Sequence, residues 1–312
     1  MIFAQIDVSK NILAQFAQQL GLSSENDVLK IDSRIGRGSA GFKSFNGTLE
    51  LYHFVTTLHQ PFHMESHNPV DSDWLLININ LSRSISKKEV NSEHIEFQKY
   101  LPSGMLLYTP NTSVKNVSLP NEDLEIVLIR FHKIFLQEYS LQDVEVFKSP
   151  KNNVVYEDLD YESEKILRTT LESKDSSLKM HGGLLTFLGL FVKKLRKREA
   201  FENAKPIHPD DLKSLFIACS QIRNPVLQKV PSISELSQLS GMGSTKFKMM
   251  FKRVFGLPPL QYHNKIRLEY AYEQLVSKRK TPSELSYELG YSHPSKFTRA
   301  YKNFHGKLPS SY

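Results

Sequence analysis

Cysteine is almost absent from this 312-residue sequence, which has only Cys219. A single cysteine excludes an internal disulfide framework and a cysteine-based zinc site, and it points to a reducing compartment. Long hydrophobic runs are also missing, because the longest, residues 184–192, is far below the roughly 20 residues that cross a bilayer. The amino terminus lacks the basic segment of a secretory signal. We therefore predict a soluble cytoplasmic protein.

Acidic residues are scarce in the last third of the chain. From Pro206 onward there are 16 Lys and Arg against 7 Asp and Glu, whereas the preceding residues carry 24 against 26, which together give the net charge of +7. Basic charge confined to one region is typical of a module that binds a polyanion. A basic surface that serves only solubility has no reason to begin at one point in the chain. Nucleic acid is therefore the predicted partner.

Catalytic patterns are missing as well. No Ser-His-Asp set, phosphate-binding loop or paired-carboxylate pattern stands out, and we predict no catalytic residues, no enzymatic activity and no cofactor. His59, His63 and His67 recur every four residues, a spacing that can hold a transition metal. Pro61 and Pro69 interrupt this segment, so the imidazoles are not expected to share one helical face. We interpret them as surface or turn histidines and predict no metal site.

Within the first two thirds of the chain, the residue pattern changes from strand-like to helix-like near residue 133. Between residues 28 and 132, short apolar stretches alternate with Gly, Pro, Asn and Ser, which favours an antiparallel β-sandwich or small barrel. The predicted strands are residues 47–58, 74–81, 104–109, 113–119 and 123–131. Helical segments are predicted at residues 4–20 (a short helix or an irregular arm), 135–147, 161–171 and 180–200. The fold class is therefore α+β.

The helix predicted over residues 180–200 has one apolar stripe. Leu184, Leu188, Phe191 and Leu195 follow each other at helical spacing. Such a stripe can pair two copies of the chain across a two-fold axis, or it can pack onto the β-domain. We prefer the first interpretation, which predicts a homodimer.

A pattern of side chains is repeated between Pro231 and Tyr312. The first copy comprises Ser234, Glu235, Leu236, Ser237, Gly241, Lys246, Phe247, Phe251, Gly256, Pro259 and Tyr262. The second comprises Ser283, Glu284, Leu285, Ser286, Gly290, Lys296, Phe297, Tyr301, Gly306, Pro309 and Tyr312. The offset is 49 residues up to the glycine and 50 from the Lys-Phe pair onward. A short helix, a glycine turn and a basic second helix predict an all-α domain with two helix-turn-helix motifs, joined by a long helix over residues 258–275.

The second helix of each motif has an inward and an outward face. Apolar spacing predicts that Phe247, Met250, Phe251 and Val254 face inward in the first motif, and Phe297, Tyr301 and Phe304 in the second. The predicted outward residues are Thr245, Lys248, Met249, Lys252, Ser295, Lys296, Arg299 and Lys302. Arg299 is the best candidate for a bidentate contact to guanine. We assign contacts to DNA phosphates to Lys252, Thr298 and Lys302.

Residues 209–312 resemble the DNA-binding domain of the AraC/XylS family of transcriptional regulators. The resemblance rests on Arg267-Leu268-Glu269 with Ala271 and Leu275, and on the run ELGYSHPSKFTRAYKNFHGKLPSSY. The run GMGSTKFKMMFKRVFGLPPLQY is especially similar to the PchR-like branch of that family. The resemblance implies a sequence-specific transcription regulator, more often an activator, that binds two adjacent major-groove segments of double-stranded promoter DNA, with RNA polymerase as a further partner.

Matched position by position, the resemblance also implies roles for particular residues. Base reading falls on Thr245, Lys248, Met249, Ser295, Lys296 and Arg299. Met249 departs from the family, in which an arginine or a polar residue is common there. The first motif is therefore expected to contact thymine methyl groups or mainly to anchor the protein.

The resemblance implies a division of labour along the chain. Residues 1–135 are expected to form a cupin-like domain that senses a small-molecule effector, residues 136–205 a helical connector for dimerisation, and residues 206–312 the DNA-binding domain. The sequence names neither the effector nor the residues that bind it.

Three alternatives compete with this interpretation. A metal-dependent cupin enzyme fused to a DNA-binding domain requires the three histidines to gather around a metal. A DNA-alkylation repair protein requires a nucleophilic cysteine, whereas Cys219 lies on an apolar helical stripe and is expected to be a core residue. An architectural DNA-packaging protein would bind without regard to sequence.

Overall fold

The computed structural model describes residues 2–312 except 33, 83–85, 91–92, 98–103, 149–153, 158, 160, 174–175, 203–208, 223–225 and 227–229. The chain divides into two compact units, Met1–Lys197 and Arg198–Tyr312. The predicted boundary between residues 205 and 206 lies outside the described residues.

The elements up to residue 202 are mostly strands followed by helices. The strands are β1 Ile2–Asp7, β2 Ser24–Glu25, β3 Val28–Lys30, β4 Gly36–Phe45, β5 Leu49–Leu58, β6 Phe62–Asn68, β7 Trp74–Asn80, β8 Ser86–Val90, β9 Glu93–Phe97, β10 Met105–Tyr108, β11 Thr112–Ser118, β12 Asp123–His132 and β13 Val154–Glu157. The helices are α1 Ile12–Leu20, α2 Lys133–Glu138, α3 Glu145–Lys148, α4 Tyr161–Glu172 and α5 Ser177–Glu202.

In the described residues, these strands form two facing sheets. One has five strands in the order β1-β6-β11-β8-β9, and the other has eight in the order β13-β10-β7-β12-β5-β4-β3-β2. The recorded pairs are antiparallel, except that β1 runs parallel to β6 with Ile2 opposite Phe62. The predicted α+β fold with an amino-terminal antiparallel β-sandwich is confirmed.

The larger sheet is buried on both faces. In β7, Leu75, Ile77 and Ile79 point to the face covered by α4 and α5, while Leu76 points to the face that meets the smaller sheet. Successive side chains of a strand alternate between faces, so a strand buried on both faces needs apolar residues at nearly every position. This explains the apolar run from Trp74 to Ile77 in β7.

Helix α5 covers the outer face of the larger sheet with its apolar stripe. Leu184, Leu188, Phe191 and Leu195 are each at most 4% exposed and belong to the same core as the β7 side chains. The prediction that these four residues join two protomers is therefore wrong. The sheet face is itself apolar, and the stripe packs against it. Packing onto the β-domain is the alternative that the sequence left open.

Strand β1 and helix α1 replace the single helix or arm predicted for residues 4–20. The stretch splits because β1 pairs with β6 and α1 then packs between the sheets. Arg130 holds the connection: its guanidinium is 2.6 Å from Glu50 Oε2, lies over the Trp74 ring and donates to the carbonyl of Val8 at 2.8 Å. Removing one partner of such a buried ion pair costs about 3–5 kcal/mol. The pair therefore ties the first strand to the larger sheet.

A cavity lies between the two sheets. It has about 790 Å³ of space not filled by protein atoms, including its mouth to solvent. Apolar side chains from both sheets and from α1 line it, among them Phe16, Phe54 and Ile126. Pockets that hold small ligands are typically lined by apolar side chains with a few polar groups.

The second unit consists of helices. They are α6 Pro209–Ser220, α7 Ile233–Leu239, α8 Ser244–Phe255, α9 Pro259–Val276, α10 Pro282–Glu288 and α11 Pro294–His305, followed by a 3-10 turn at Pro309–Ser311. The helix pairs and the long joining helix α9 are those predicted from the repeated pattern. Cys219 is buried in α6, as expected for a core residue.

In the part of the chain that the structure describes, we find no helix with the length and apolar character that a membrane span requires.

Candidate DNA interface

The two helix-turn-helix motifs begin with the same cap. Ser232 accepts a hydrogen bond from the amide of Glu235, and the Glu235 carboxylate accepts one from the amide of Ser232. Thr281 and Glu284 form the same reciprocal pair at the start of α10. A capping box satisfies amide groups that the first helical turn leaves without a partner. The repeated Glu, which looks like a surface residue in the sequence, therefore sets where each motif starts.

Glycine allows the turn between the helices of each motif. Gly241 and Gly290 have φ angles of +63° and +70°, in the left-handed region that side-chain-bearing residues rarely adopt. Helices α8 and α11 each have 12 residues. They are followed by the C-cap glycines Gly256 and Gly306, whose φ angles are also in the left-handed region. The two motifs therefore have the same local backbone design.

Aromatic pairs fill the inside of each motif. Phe247 and Phe251 in α8 are fully buried, with ring centroids 5.5 Å apart. Phe297 and Tyr301 occupy the equivalent positions in α11, also fully buried, with centroids 5.6 Å apart. The inward prediction is correct for these residues and for Met250.

Two of the predicted inward residues are placed differently. Phe304 is 39% exposed, and Val254 is only partly buried. Both lie near the carboxy-terminal ends of their helices, where fewer side chains pack against the helix. Phe304 contacts the ring of His305 edge-on, with centroids 4.7 Å apart.

Helix α9 is fastened to the second motif by Arg267, part of the Arg-Leu-Glu sequence. Its guanidinium lies 4.4 Å from the Tyr291 ring centroid and donates to the carbonyl of Leu289. Burial lowers the pKa of Arg267 and raises that of the Tyr291 hydroxyl. An arginine remains charged despite such a shift. Arg267 thus fixes the turn of the second motif against the joining helix.

A second link holds α10 beside α9. Lys280 donates to the carboxylate of Glu288 and, at 3.2 Å, to the hydroxyl of Tyr270. The hydrogen bond to Glu288 raises the pKa of Lys280. Together with Arg267, this contact gives the second motif polar attachments to the joining helix.

The outward faces of α8 and α11 expose nearly all of the predicted contact residues. The exposed ones are Thr245, Lys248, Met249, Lys252, Ser295, Lys296, Arg299 and Lys302, and Thr298 is half-buried. Among described residues, none of the cations Lys248, Lys252, Lys296, Arg299 and Lys302 has an acidic partner. Each motif therefore presents one exposed helix face with unpaired positive charge.

Lys246 is a further outward cation, and it is not among the DNA-contacting residues predicted from the sequence. It occupies the position equivalent to Lys296, and the repeat offset of 50 would have revealed it. Its ammonium group lies 2.8 Å from Asp211 Oδ2 on α6. Part of its charge is therefore compensated within the protein, whereas Lys296 has no acidic partner among the residues that the structure describes.

The three histidines considered as metal ligands do not gather. His63 and His67 lie on β6, which the sequence did not identify as a strand, and the ring of His67 is hydrogen-bonded to Ser113 Oγ at 2.9 Å. The described residues contain no group of three or more His, Cys, Asp or Glu side chains placed to hold a metal ion.

Comparison with known proteins agrees with the repeated motif. Residues 236–312 match the family model of a helix-turn-helix domain. The probable transcriptional regulator LumQ of Photobacterium leiognathi is 31% identical over 86 residues, covering 28% of this chain and 35% of that protein. The HTH-type transcriptional regulator ExsA of Pseudomonas aeruginosa is 33% identical over 78 residues, covering 25% of this chain and 28% of that protein.

A third relative covers a similar share. The virulence regulon transcriptional activator VirF of Yersinia enterocolitica is 32% identical over 78 residues, 25% of this chain and 29% of that protein. This chain thus spans about a third of the length of these relatives or less. Among solved structures, ToxT from Vibrio cholerae aligns with 85% of this chain and 96% of its own, at 12% identity and a TM-score of 0.35.

The matched segment contains both glycine turns, the joining helix and the second capped helix pair, and it contains the first pair without its cap and without the first three residues of α7. These relatives are named as transcriptional regulators or activators. Residues 236–312 of this chain therefore form a helix-turn-helix domain similar to those of transcriptional regulators.

Proposed function

We propose that the chain is a sequence-specific transcription regulator that binds promoter DNA through its two helix-turn-helix motifs and responds to a small molecule held by its amino-terminal unit. The observation that carries this proposal is the pair of equivalent helices α8 and α11, each with an exposed face of cations that have no acidic partner in the described part of the chain. Unpaired surface lysines and arginines attract phosphates, and a helix of this kind fits the major groove.

The roles of individual residues follow from their chemistry. Arg299 has the planar fork of donors that matches O6 and N7 of guanine, and a good bidentate contact is worth about 1–3 kcal/mol of discrimination. Thr245, Lys248, Met249, Ser295 and Lys296 are the other base-reading residues. Lys252, Thr298 and Lys302 contact phosphates, which position the protein and make its affinity depend on salt.

Activation of transcription is the regulatory outcome that we propose. The relative from Yersinia enterocolitica is named a transcriptional activator, which supports it. The same proposal includes a contact with RNA polymerase and a cytoplasmic location. It also includes the absence of catalysis and a place for the chain in the PchR-like branch. The division into a sensing domain (1–135), a connector (136–205) and a DNA-binding domain (206–312) is part of it too.

The test is protection of genomic DNA fragments that the purified full chain selects. Footprinting is expected to reveal one discrete site with two protected major-groove segments about 10 base pairs apart. Uniform coverage of every fragment would instead favour architectural packaging. Metal analysis of the same preparation separates the enzyme alternative, because a stoichiometric transition metal would support a metal-dependent cupin enzyme.

A further inference from the structure

Two buried asparagines line the cavity between the sheets. Asn78 lies on β7 of the larger sheet and is 2% exposed, and Asn116 lies on β11 of the smaller sheet and is 8% exposed. The strand positions directly opposite Asn78 are occupied by Leu106 and Leu128. Polar amides therefore stand on both walls of an otherwise largely apolar space.

The carbonyl oxygens of both amides lack a hydrogen-bond donor from the described residues. Their amide nitrogens are already oriented by the protein: that of Asn78 donates to the Tyr108 hydroxyl at 3.5 Å, and that of Asn116 donates to Ser118 Oγ at 3.4 Å. Buried polar groups in folded proteins are nearly always hydrogen-bonded, and leaving one without a partner is unfavourable. Two such acceptors on facing walls call for a donor inside the cavity.

The lining carries no ionisable side chain in the described part of the chain. Thr56 and Ser118 are its remaining polar members besides the two asparagines. A charged ligand would lose its hydration there without gaining a counter-ion, which is strongly unfavourable. The cavity therefore selects against carboxylates and ammonium groups.

We infer that this cavity binds an uncharged, largely apolar small molecule whose hydroxyl group donates a hydrogen bond to the carbonyl oxygen of Asn78, Asn116 or both. This inference rests on the proposed function, because the bound molecule is the effector of the regulator. It adds the chemical class of that effector and the two residues that recognise it.

The test compares three probes that share a chain length and differ in the polar end: 1-decanol, 2-decanone and decanoate. Binding to the full chain is measured by calorimetry below the concentration at which each probe aggregates. We expect 1-decanol to bind most tightly, because it alone donates a hydrogen bond. Decanoate is expected to bind about a hundredfold more weakly than the alcohol because of its charge.

Variants of the two asparagines locate the hydroxyl. Asn78→Leu or Asn116→Leu is expected to weaken 1-decanol binding about tenfold and to leave 2-decanone unchanged, because only the alcohol loses a hydrogen bond. Asn68→Leu is the matched control: Asn68 is also buried with an unpartnered carbonyl oxygen, but it lies outside the cavity lining. It is expected to bind 1-decanol as the unmodified chain does.

The order of the three probes on the unmodified chain decides the matter even if a variant fails to fold. Equal binding of the alcohol and the ketone, tighter binding of decanoate, or no binding of any probe would each overturn the inference. DNA binding by the ligand-free chain is measured on the same preparation. Its loss would count against the proposed function, whereas a wrong probe order with intact DNA binding would count against the cavity assignment alone.

Discussion

Helices α7 and α8 form the same capped, glycine-linked pair as α10 and α11, yet the two pairs expose different side chains. At the position where the second motif has Arg299, the first has Met249, which is 63% exposed. Where the second has Lys296, which has no acidic partner in the described ranges, the first has Lys246, which pairs with Asp211. The inward aromatic residues that build the motif occupy equivalent positions, whereas the outward residues proposed to meet DNA differ in part. Structure and recognition are thus encoded on opposite faces of the same helices.

The largest expected effect tests the shared face. Phe247→Ala and Phe297→Ala each remove a fully buried aromatic ring and are expected to lower the free energy of unfolding by about 3–5 kcal/mol. Urea denaturation of the full chain followed by circular dichroism measures the loss. Met249→Ala, which truncates an exposed side chain, is the control and is expected to change stability by less than about 0.5 kcal/mol. A large loss at only one of the two phenylalanines would break the structural equivalence of the motifs.

The next effect tests the outward face. Arg299→Ala is expected to weaken binding to the selected DNA site by about 1–3 kcal/mol and to leave binding to random DNA nearly unchanged, because a bidentate base contact is lost. Met249→Ala, at the equivalent position of the first motif, is expected to cost less than half as much. Titration of both DNAs by fluorescence anisotropy measures the difference. Equal losses on specific and random DNA would show that Arg299 binds a phosphate.

Alanine substitutions at the turn glycines test whether the backbones of the two turns are equivalent. Gly241→Ala and Gly290→Ala are each expected to destabilise the chain by about 1–2 kcal/mol, because alanine is strained at the positive φ of these turns. Gly189→Ala offers a control, since that glycine lies within α5, is exposed and has open space where a Cβ would be added. A neutral or slightly stabilising result is expected there. Unequal losses at Gly241 and Gly290, measured by urea denaturation, would mean that the two turns differ in rigidity.

The smallest expected effect concerns the lysines. Lys302→Ala is expected to reduce the slope of log affinity against log salt concentration by about 0.9, because one phosphate contact is lost on every sequence. Lys246→Ala is expected to reduce it by less, since Asp211 already compensates part of that charge. Affinities for random DNA at several salt concentrations provide the slopes. A larger change at Lys246 than at Lys302 would contradict the contrast between the motifs.

Much of the second unit is predictable from the sequence because its signals are local. The repeated glycines and the 3.6-residue apolar spacing together predict both helix pairs, and they predict α9 to within one residue at each end. The outward residues then follow from the helical periodicity. The ion pair between Lys246 and Asp211 could not be predicted, because it depends on packing between α6 and α8.

The first unit is less predictable because its pairing is not local. Strand β1 is stabilised by β6, more than fifty residues away, and β6 itself has polar residues that hide its extended conformation. The stripe of α5 shows the same limit, because the sequence reveals an apolar face but not which surface covers it. The cavity asparagines gave no signal at all, since Asn78 and Asn116 become neighbours of one space only when the two sheets face each other.

We propose that the second motif reads bases while the first mainly anchors the protein on DNA. Selection of bound sequences from random DNA by the unmodified full chain and by Arg299→Ala tests it most directly. We predict two preferred segments about 10 base pairs apart in the selected DNA. The stronger segment contains a guanine whose preference disappears in Arg299→Ala while the weaker segment is unchanged. Two equally strong segments, or a guanine preference that survives Arg299→Ala, would contradict the claim.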